Sequence, residues 1–350
     1  MSRALALAGA APDGADTRRR QRLALGLVLA LLLGGLAGLA TGSDGLSLRA
    51  LWADLQGPDA ALLIGHIRAP RTLGAALVGA LLGLAGALAQ GLFRNPLADP
   101  YLLGSAAGAG LGVVLVLAAA SAGGVVLGLA GAAWIERLGL VGAAFVGALA
   151  GVALTLSLAR GAAHTLRLLL AGVVVGVMAG AVSDLITVAA PDALRGKQAF
   201  LLGSTSFLGW PALGLLAAGL VALLVLVGRF ARALDALTLG EDSAASLGLD
   251  LPRLRLVLVL MLSGATALAV SQAGLVAFVG LVAPHLVRRA APGPHGWLVV
   301  ASAAMGAALL VLADVLSRAL VAPQELPVGV VTAVLGGAYL VWLLKQRGAR

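Results

Sequence analysis

Long apolar runs separated by short polar breaks organise this chain. A helix rises about 1.5 Å per residue, so about 20 apolar residues cross a hydrocarbon core of about 30 Å. On that measure the pattern predicts ten crossings, over residues 23–42, 66–92, 102–121, 139–159, 166–188, 210–228, 254–272, 274–289, 297–318 and 327–344. Two places strain it. The stretch from Gly123 to Leu140 is interrupted by Trp134, Glu136 and Arg137 and suits an interface better than lipid. The 274–289 run is short, and it counts as a crossing because the parity of the count requires one.

The breaks carry the orientation. With both termini inside, the cytoplasmic side collects seventeen of the 24 lysines and arginines, including Arg18, Arg19, Arg20, Arg22, Arg94, Arg255, Arg288, Arg289 and Lys345. Seven face the other way: Arg49, Arg68, Arg71, Arg137, Arg195, Lys197 and Arg318. Cytoplasmic loops concentrate Lys and Arg, so both termini are expected to be cytoplasmic, with tails over 1–22 and 345–350. The apolar stretch after Arg22 is about as long as a full span and no usual small-residue cleavage site stands out, so it is expected to stay as the first helix.

Composition sharpens the class. The chain is 61% hydrophobic and only 11% charged, against about 25% charged for soluble domains, so its solvent is lipid. Absence of cysteine excludes disulfides, thiolate metal sites and cysteine nucleophiles. The net charge of +9 sits at the ends of apolar runs, not on a basic face interleaved with aromatics, so no nucleic-acid partner is expected. The expected fold is all-α and polytopic, one permease domain over 23–344.

A weak internal repeat appears at an offset of 182 residues. Pro70-Arg71 matches Pro252-Arg253, Ala85 and Ala87 match Ala267 and Ala269, and Gln90 matches Gln272. The two copies start five crossings apart and so run in opposite directions, the arrangement of an inverted transporter repeat.

Four features are candidates for function. Gly172, Gly176 and Gly180 lie four apart in one span, on a stripe that continues to Asp184. Such spacing reads as a packing seam or as a pathway-lining face, and both readings stay open. Asp314 has Arg318 four positions on and can pair with it. Arg68, Arg71 and Arg318 at span ends read as interfacial anchors or as docking charges. Glu241, Asp242, Ser243, Ala244, Ala245, Ser246, Leu247 and Gly248 form a short helix with acids in its first turn and a glycine stop, either a connector or a rigid knob for a soluble partner.

Some chemistry is missing. His66, His164, His285 and His295 match no metal-ligand spacing, so no metal site is expected. No nucleophile and base pair of an intramembrane enzyme is visible, and no catalytic residue is assigned. The only Gly-Lys, Gly196-Lys197, is followed by Gln198, so no phosphate-binding loop occurs and any ATP is hydrolysed elsewhere.

Taken in order, several segments closely resemble the FecCD-type permeases of bacterial ABC importers for iron chelates, heme and vitamin B12. They are Arg68-Ala-Pro-Arg71, Gln90, Arg94-Asn-Pro-Leu-Ala-Asp-Pro-Tyr-Leu-Leu-Gly104, Val276-Ala-Phe-Val-Gly-Leu-Val-Ala-Pro-His285, Ala313-Asp314 and Gln324-Glu-Leu-Pro-Val-Gly-Val-Val-Thr332. The resemblance runs from about residue 23 to the carboxyl end. It implies a ten-helix subunit of the bacterial inner membrane that works as a homodimer or paired with a related subunit. Two ATPase subunits binding ATP and Mg would sit on the cytoplasmic side, and no cofactor would be bound by this chain. Glu241 to Gly248 would be the helix that couples to the ATPase; Arg68, Arg71 and Arg318 would meet acidic groups of a substrate-binding protein. The helix of Gly172, Gly176, Gly180 and Asp184 would line the path, with 191–203 as its outer gate. One departure stands out: Phe200-Leu-Leu-Gly-Ser lacks the tryptophan that many members carry there.

Overall fold

The computed structural model describes residues 14–122, 132–162 and 164–348. Its long helices are α1 (Gly14–Ala40), α3 (Ala69–Leu92), α4 (Ser105–Ala122), α5 (Ala132–Leu158), α6 (Thr165–Ala189), α8 (Trp210–Thr238), α10 (Leu251–Ala273), α12 (His295–Ala319) and α13 (Val328–Gly348). The shorter ones are α2 (Leu48–Gln56), α7 (Ala193–Leu202), α9 (Glu241–Ser246) and α11 (Val279–Ala290). A π-helical stretch, Ala61–Arg68, leads into α3, and a 3₁₀ turn, Pro100–Leu103, leads into α4. A two-residue hairpin, Thr41–Gly42 against Gly45–Leu46, is the only sheet among the described residues.

The helix order follows the apolar pattern, and among the described residues eight helices are long and apolar enough to cross a membrane. The apolar stretch Ser105–Ser121 of α4 falls just short. Helix bounds differ from the expected ones in three places. The first helix starts at Gly14, so Asp16 to Arg22 belong to it and not to a free tail. The short helix expected over 241–248 is helical from Glu241 to Ser246, with Gly248 as the expected stop. The 274–289 crossing holds a helix of only 12 residues, about 18 Å long, or half a bilayer core. Residues 123–131 of the ambiguous stretch, and the side chains of Trp134, Glu136 and Arg137, lie outside the described residues.

The half-helix has a physical cause. Gly274 ends α10 with φ 68°, and Phe278 starts α11 from the left-handed region with φ 66°. The irregular backbone between them is tolerated at depth because other chain segments satisfy it. Tyr101 Oη donates to Val276 O at 3.0 Å, and Gln90 Nε2 donates to Leu281 O at 3.1 Å. Gln90 Oε1 also accepts from Arg288, so one glutamine of α3 pins both ends of α11.

Helix α3 is the hub. Twenty of its 24 residues are buried, against α12, α10, α11 and α8. Its neighbours reach its backbone directly: a Cβ on Gly79 would stand 2.3 Å from Gly306 O, and one on Gly86 only 1.6 Å from Gly280 O. In lipid, close backbone packing replaces the hydrophobic effect as the source of helix association.

The repeat is antiparallel in space. The start of α10 and the loop after α3 share one partner, since Arg255 and Arg94 both pair with Glu241. At the other end, Ala273 of α10 accepts from Ser204 N, and the adjacent Thr205 donates to Asp314, which also binds Arg71 of α3. Both helices carry proline in their first turn.

Replacing Gly86 by Ala should destabilise the fold by about 1–3 kcal/mol or more through overpacking. A Gly176→Ala change, which meets nothing within 4 Å, should leave stability unchanged. Thermal unfolding of the two variants in detergent checks this, and equal melting points would contradict the packing argument.

Candidate functional site

Polar side chains gather at the two ends of the bundle. At one end Asp314 of α12, 0% exposed, accepts from three partners. Arg71 Nε of α3 lies 3.0 Å from Oδ1, Arg318 Nη2 2.6 Å from Oδ2, and Thr205 Oγ1 donates to Oδ1. Arg71 Nη1 also pairs with Glu325 Oε1 at 2.8 Å, and Glu325 Oε2 accepts from Ser206 at 3.1 Å. Burial pulls the Glu325 carboxyl up, but the hydrogen bond and charge of Arg71 outweigh it and leave the group below its usual range. Two arginines and two carboxylates thus tie α3, α12 and the loops 203–209 and 320–327 together.

The same arginines finish α1. A helix leaves its last carbonyls without partners. Arg318 Nη1 donates to Gly38 O at 3.0 Å and Thr41 O at 2.9 Å, and Arg68 Nη1 donates to Leu39 O at 3.1 Å. Arg68 also pairs with Asp54 of α2 at 2.6 Å.

Arg68, Arg71 and Arg318, expected to meet acidic groups of a binding protein, are all engaged within their own chain. Arg71 and Arg318 are 8% and 4% exposed, and all three meet acids of their own chain. The pairing of Asp314 with Arg318 is as the spacing indicates. Thr205, Glu325 and Asp54 are partners that the one-dimensional pattern does not reveal, because they arrive from distant loops.

The opposite end is built around Glu241, which opens α9. Its Oε2 lies 2.6 Å from Arg255 of α10 and its Oε1 3.1 Å from Arg94. Arg94 sits just beyond α3 in the left-handed region, with φ 47°. The hydrogen bond from Arg255, opposed by burial and helped by the charges of Arg255, Arg94 and His164, holds the Glu241 carboxyl below its usual range. Ala244 is buried beneath α9, while Asp242, Ser243, Ala245, Ser246, Leu247 and Gly248 face outward. Gly248, φ 82°, closes the turn. The result is a short braced knob with an apolar tip: Leu247 is 66% exposed. Nearby, Asp235 caps α12 by accepting from the backbone and ring of His295 at 2.8 and 2.7 Å.

The small-residue stripe on α6 divides. A Cβ on Gly172 would stand 2.0 Å from Leu102 O, so this glycine seats the helix on the 3₁₀ turn. Gly176 and Gly180 meet nothing within 4 Å. Asp184 lies at the Arg71 end, exposed and paired with Lys197 of α7. Most of the outward face of α6 is apolar, including Leu170, Val173 and Val177.

The chain matches the FecCD transport family over residues 29–346. It belongs to that family. It is 39% identical over 338 residues to the hemin transport system permease protein HmuU of Yersinia pestis, covering 95% of this chain and 98% of that protein. It is 37% identical over 328 residues to the vitamin B12 import system permease protein BtuC of Salmonella typhi, covering 93% and 96%. A solved structure described as an inward-facing conformation of a putative metal-chelate type ABC transporter superposes with a TM-score of 0.79 at 25% identity, covering 93% of this chain and 99% of that one. This FecCD chain is therefore a multi-pass permease of the metal-chelate, heme and vitamin B12 family of ABC importers.

Two outcomes follow for this FecCD permease. Asp314→Asn takes the buried charge away from two guanidinium groups, leaving Arg318 without a carboxylate, and should cost about 3–5 kcal/mol, whereas Glu325→Gln, at a half-exposed acid, should cost under about 1 kcal/mol; melting in detergent separates them, and equal losses would contradict the ranking. A lowered carboxylate contributes stability above its unfolded value, near 4.5, and loses it as pH falls through the folded value. Hydrogen exchange over residues 239–250, corrected for intrinsic rates, should thus be slow at pH 7 and speed up below about pH 4.5. In Glu241→Gln it should be fast at both.

Proposed function

We propose that two copies of this chain form the membrane path of an ATP-driven importer of an iron complex, heme or a ferric siderophore, or of cobalamin. Two ATPase subunits, carrying ATP and Mg, grip α9 from the cytoplasm. A substrate-binding protein delivers cargo at the Arg71 end, and the path between the two copies opens alternately to each side.

The observation that carries this reading is the braced α9. This six-residue helix puts only Ala244 into the core of its own subunit and leaves Leu247, just past its end, exposed. Glu241 nonetheless fixes it to α10 and to the turn that directly follows α3. A push on α9 therefore reaches two central helices at once, as an external motor requires. The sequence carries no phosphate-binding loop of its own.

Other features agree. Arg94, Arg255, Arg288, Arg289 and Lys345 collect at the α9 end, which supports a cytoplasmic placement of that end and of both termini in the bacterial inner membrane. The apolar outward face of α6, with Gly176 and Gly180 open, suits a helix that meets a second copy and a bulky cargo. At the other end, Arg68, Arg71 and Arg318 serve docking of a binding protein indirectly, by fixing the surface around the half-exposed Glu325, which Arg71 holds in place. An ion-gradient transporter is less well supported, because Asp314 is fully committed to two arginines and Asp184 lies exposed at a helix end.

The test is uptake into liposomes holding the permease and its ATPase, with binding protein and labelled heme, ferric siderophore or cobalamin supplied in turn. Uptake of one cargo that needs ATP and binding protein is expected; uptake driven by an ion gradient without ATP would overturn the reading. Leu247→Asp should leave the permease folded and weaken ATPase binding by about 10–100-fold, the worth of one buried leucine. Wild-type uptake in that variant would move the grip elsewhere.

A further inference from the structure

Near the middle of the bundle, helices α11, α12 and α13 leave a cleft of about 160 Å³ that runs from Ala313 and Thr332 to Leu286 and Tyr339. Its walls are apolar, among them Leu286 of α11, Leu309 of α12 and Leu335 of α13. Two hydroxyls break them: Thr332 Oγ1 donates to Gly329 O at 3.0 Å, and Tyr339 Oη is buried without a hydrogen-bond partner. One helical turn further towards the end of each flanking helix, the chemistry changes. Trp342 stacks against Tyr339 at 5.9 Å, and Arg289 lies over the Trp342 ring at 5.0 Å. Arg289 is exposed, and its guanidinium is steadied further by Gln346 Oε1 at 3.3 Å. Lys345 follows on the same helix, also exposed.

An apolar cleft, then an aromatic pair, then fixed cations is the order met on passing from acyl chains to headgroups at a membrane surface. We propose that this cleft holds one anionic phospholipid, with an acyl chain along Leu286 and Leu335 and its phosphate against Arg289 and Lys345. The cation resting on an indole is held in place before the lipid arrives, so little side-chain freedom is lost on binding.

Other occupants fit less well. A free phosphate would gain nothing from the apolar walls. A two-fold contact centred here would set Arg289 and Lys345 against their own copies, and like charges facing each other repel.

Native mass spectrometry of the detergent-purified protein tests the site, with phosphatidylglycerol, phosphatidylcholine of the same chains, and glycerol phosphate supplied in turn. Phosphatidylglycerol should be retained about fivefold or more over phosphatidylcholine, the worth of one surface cation, and glycerol phosphate should not be retained. Arg289→Gln should bring phosphatidylglycerol towards the phosphatidylcholine level, and Leu335→Trp, which fills the cleft, should lower both. Equal retention of the two lipids, or indifference to Arg289→Gln, would overturn the site. Binding of glycerol phosphate as strong as that of phosphatidylglycerol would replace it with a phosphate site. Because the chain has no cysteine, Gln346→Cys gives a clean cross-linking probe; a disulfide between copies in lipid would assign the face to a second subunit instead.

Discussion

Backbone contact along α3 is the constraint on which the rest of the structure depends. Leucine and alanine surfaces are as comfortable in lipid as against each other, so hydrophobicity cannot tell these helices where to sit. Close approach does. Where Gly306 and Gly280 touch Gly79 and Gly86, dispersion contacts become dense enough to hold α12 and α11 at one distance and register. Once those are set, Gln90 finds Leu281 and Arg288, and Arg71 finds Asp314.

The polar groups then specify what packing leaves loose. Asp314 in the protein interior would be costly alone, and two arginines offset that cost only because α3 and α12 already lie side by side. The arginines in turn close the end of α1, whose carbonyls would otherwise meet neither water nor donor. At the opposite end the same logic runs outward: Glu241 is partly solvated, and its two arginines orient a surface feature more than they stabilise a core.

Much of this was legible in the sequence. The apolar runs located the helices because only a helix satisfies its own backbone in lipid, and the repeat of Pro-Arg and Gln placed α3 and α10 antiparallel. The Asp314 and Arg318 pair followed from a four-residue spacing. What escaped was set by three-dimensional meeting. Hydropathy cannot separate a half-helix with a buried irregular entry from a short span, so 274–289 looked like a crossing. Arg71 at a span end looks like a surface charge until Thr205 and Glu325 arrive from loops more than a hundred residues away. Gly172 and Gly176 belong to one four-residue stripe in sequence, yet only the first touches another backbone.

The pairing at the Arg71 end has an electrical consequence. Arg68, Arg71, Arg318 and Lys197 each face a carboxylate of the same chain, so the cations of that end are largely cancelled. At the α9 end Arg289 and Lys345 lie exposed, with the arginines of the first turns of α1 beside them in the tally. The subunit is therefore a dipole along the bilayer normal. In the orientation proposed above its positive pole lies on the negative side of an energised membrane. One elementary charge moved across 100 mV is worth about 2.3 kcal/mol, so the membrane potential itself helps to hold the subunit upright.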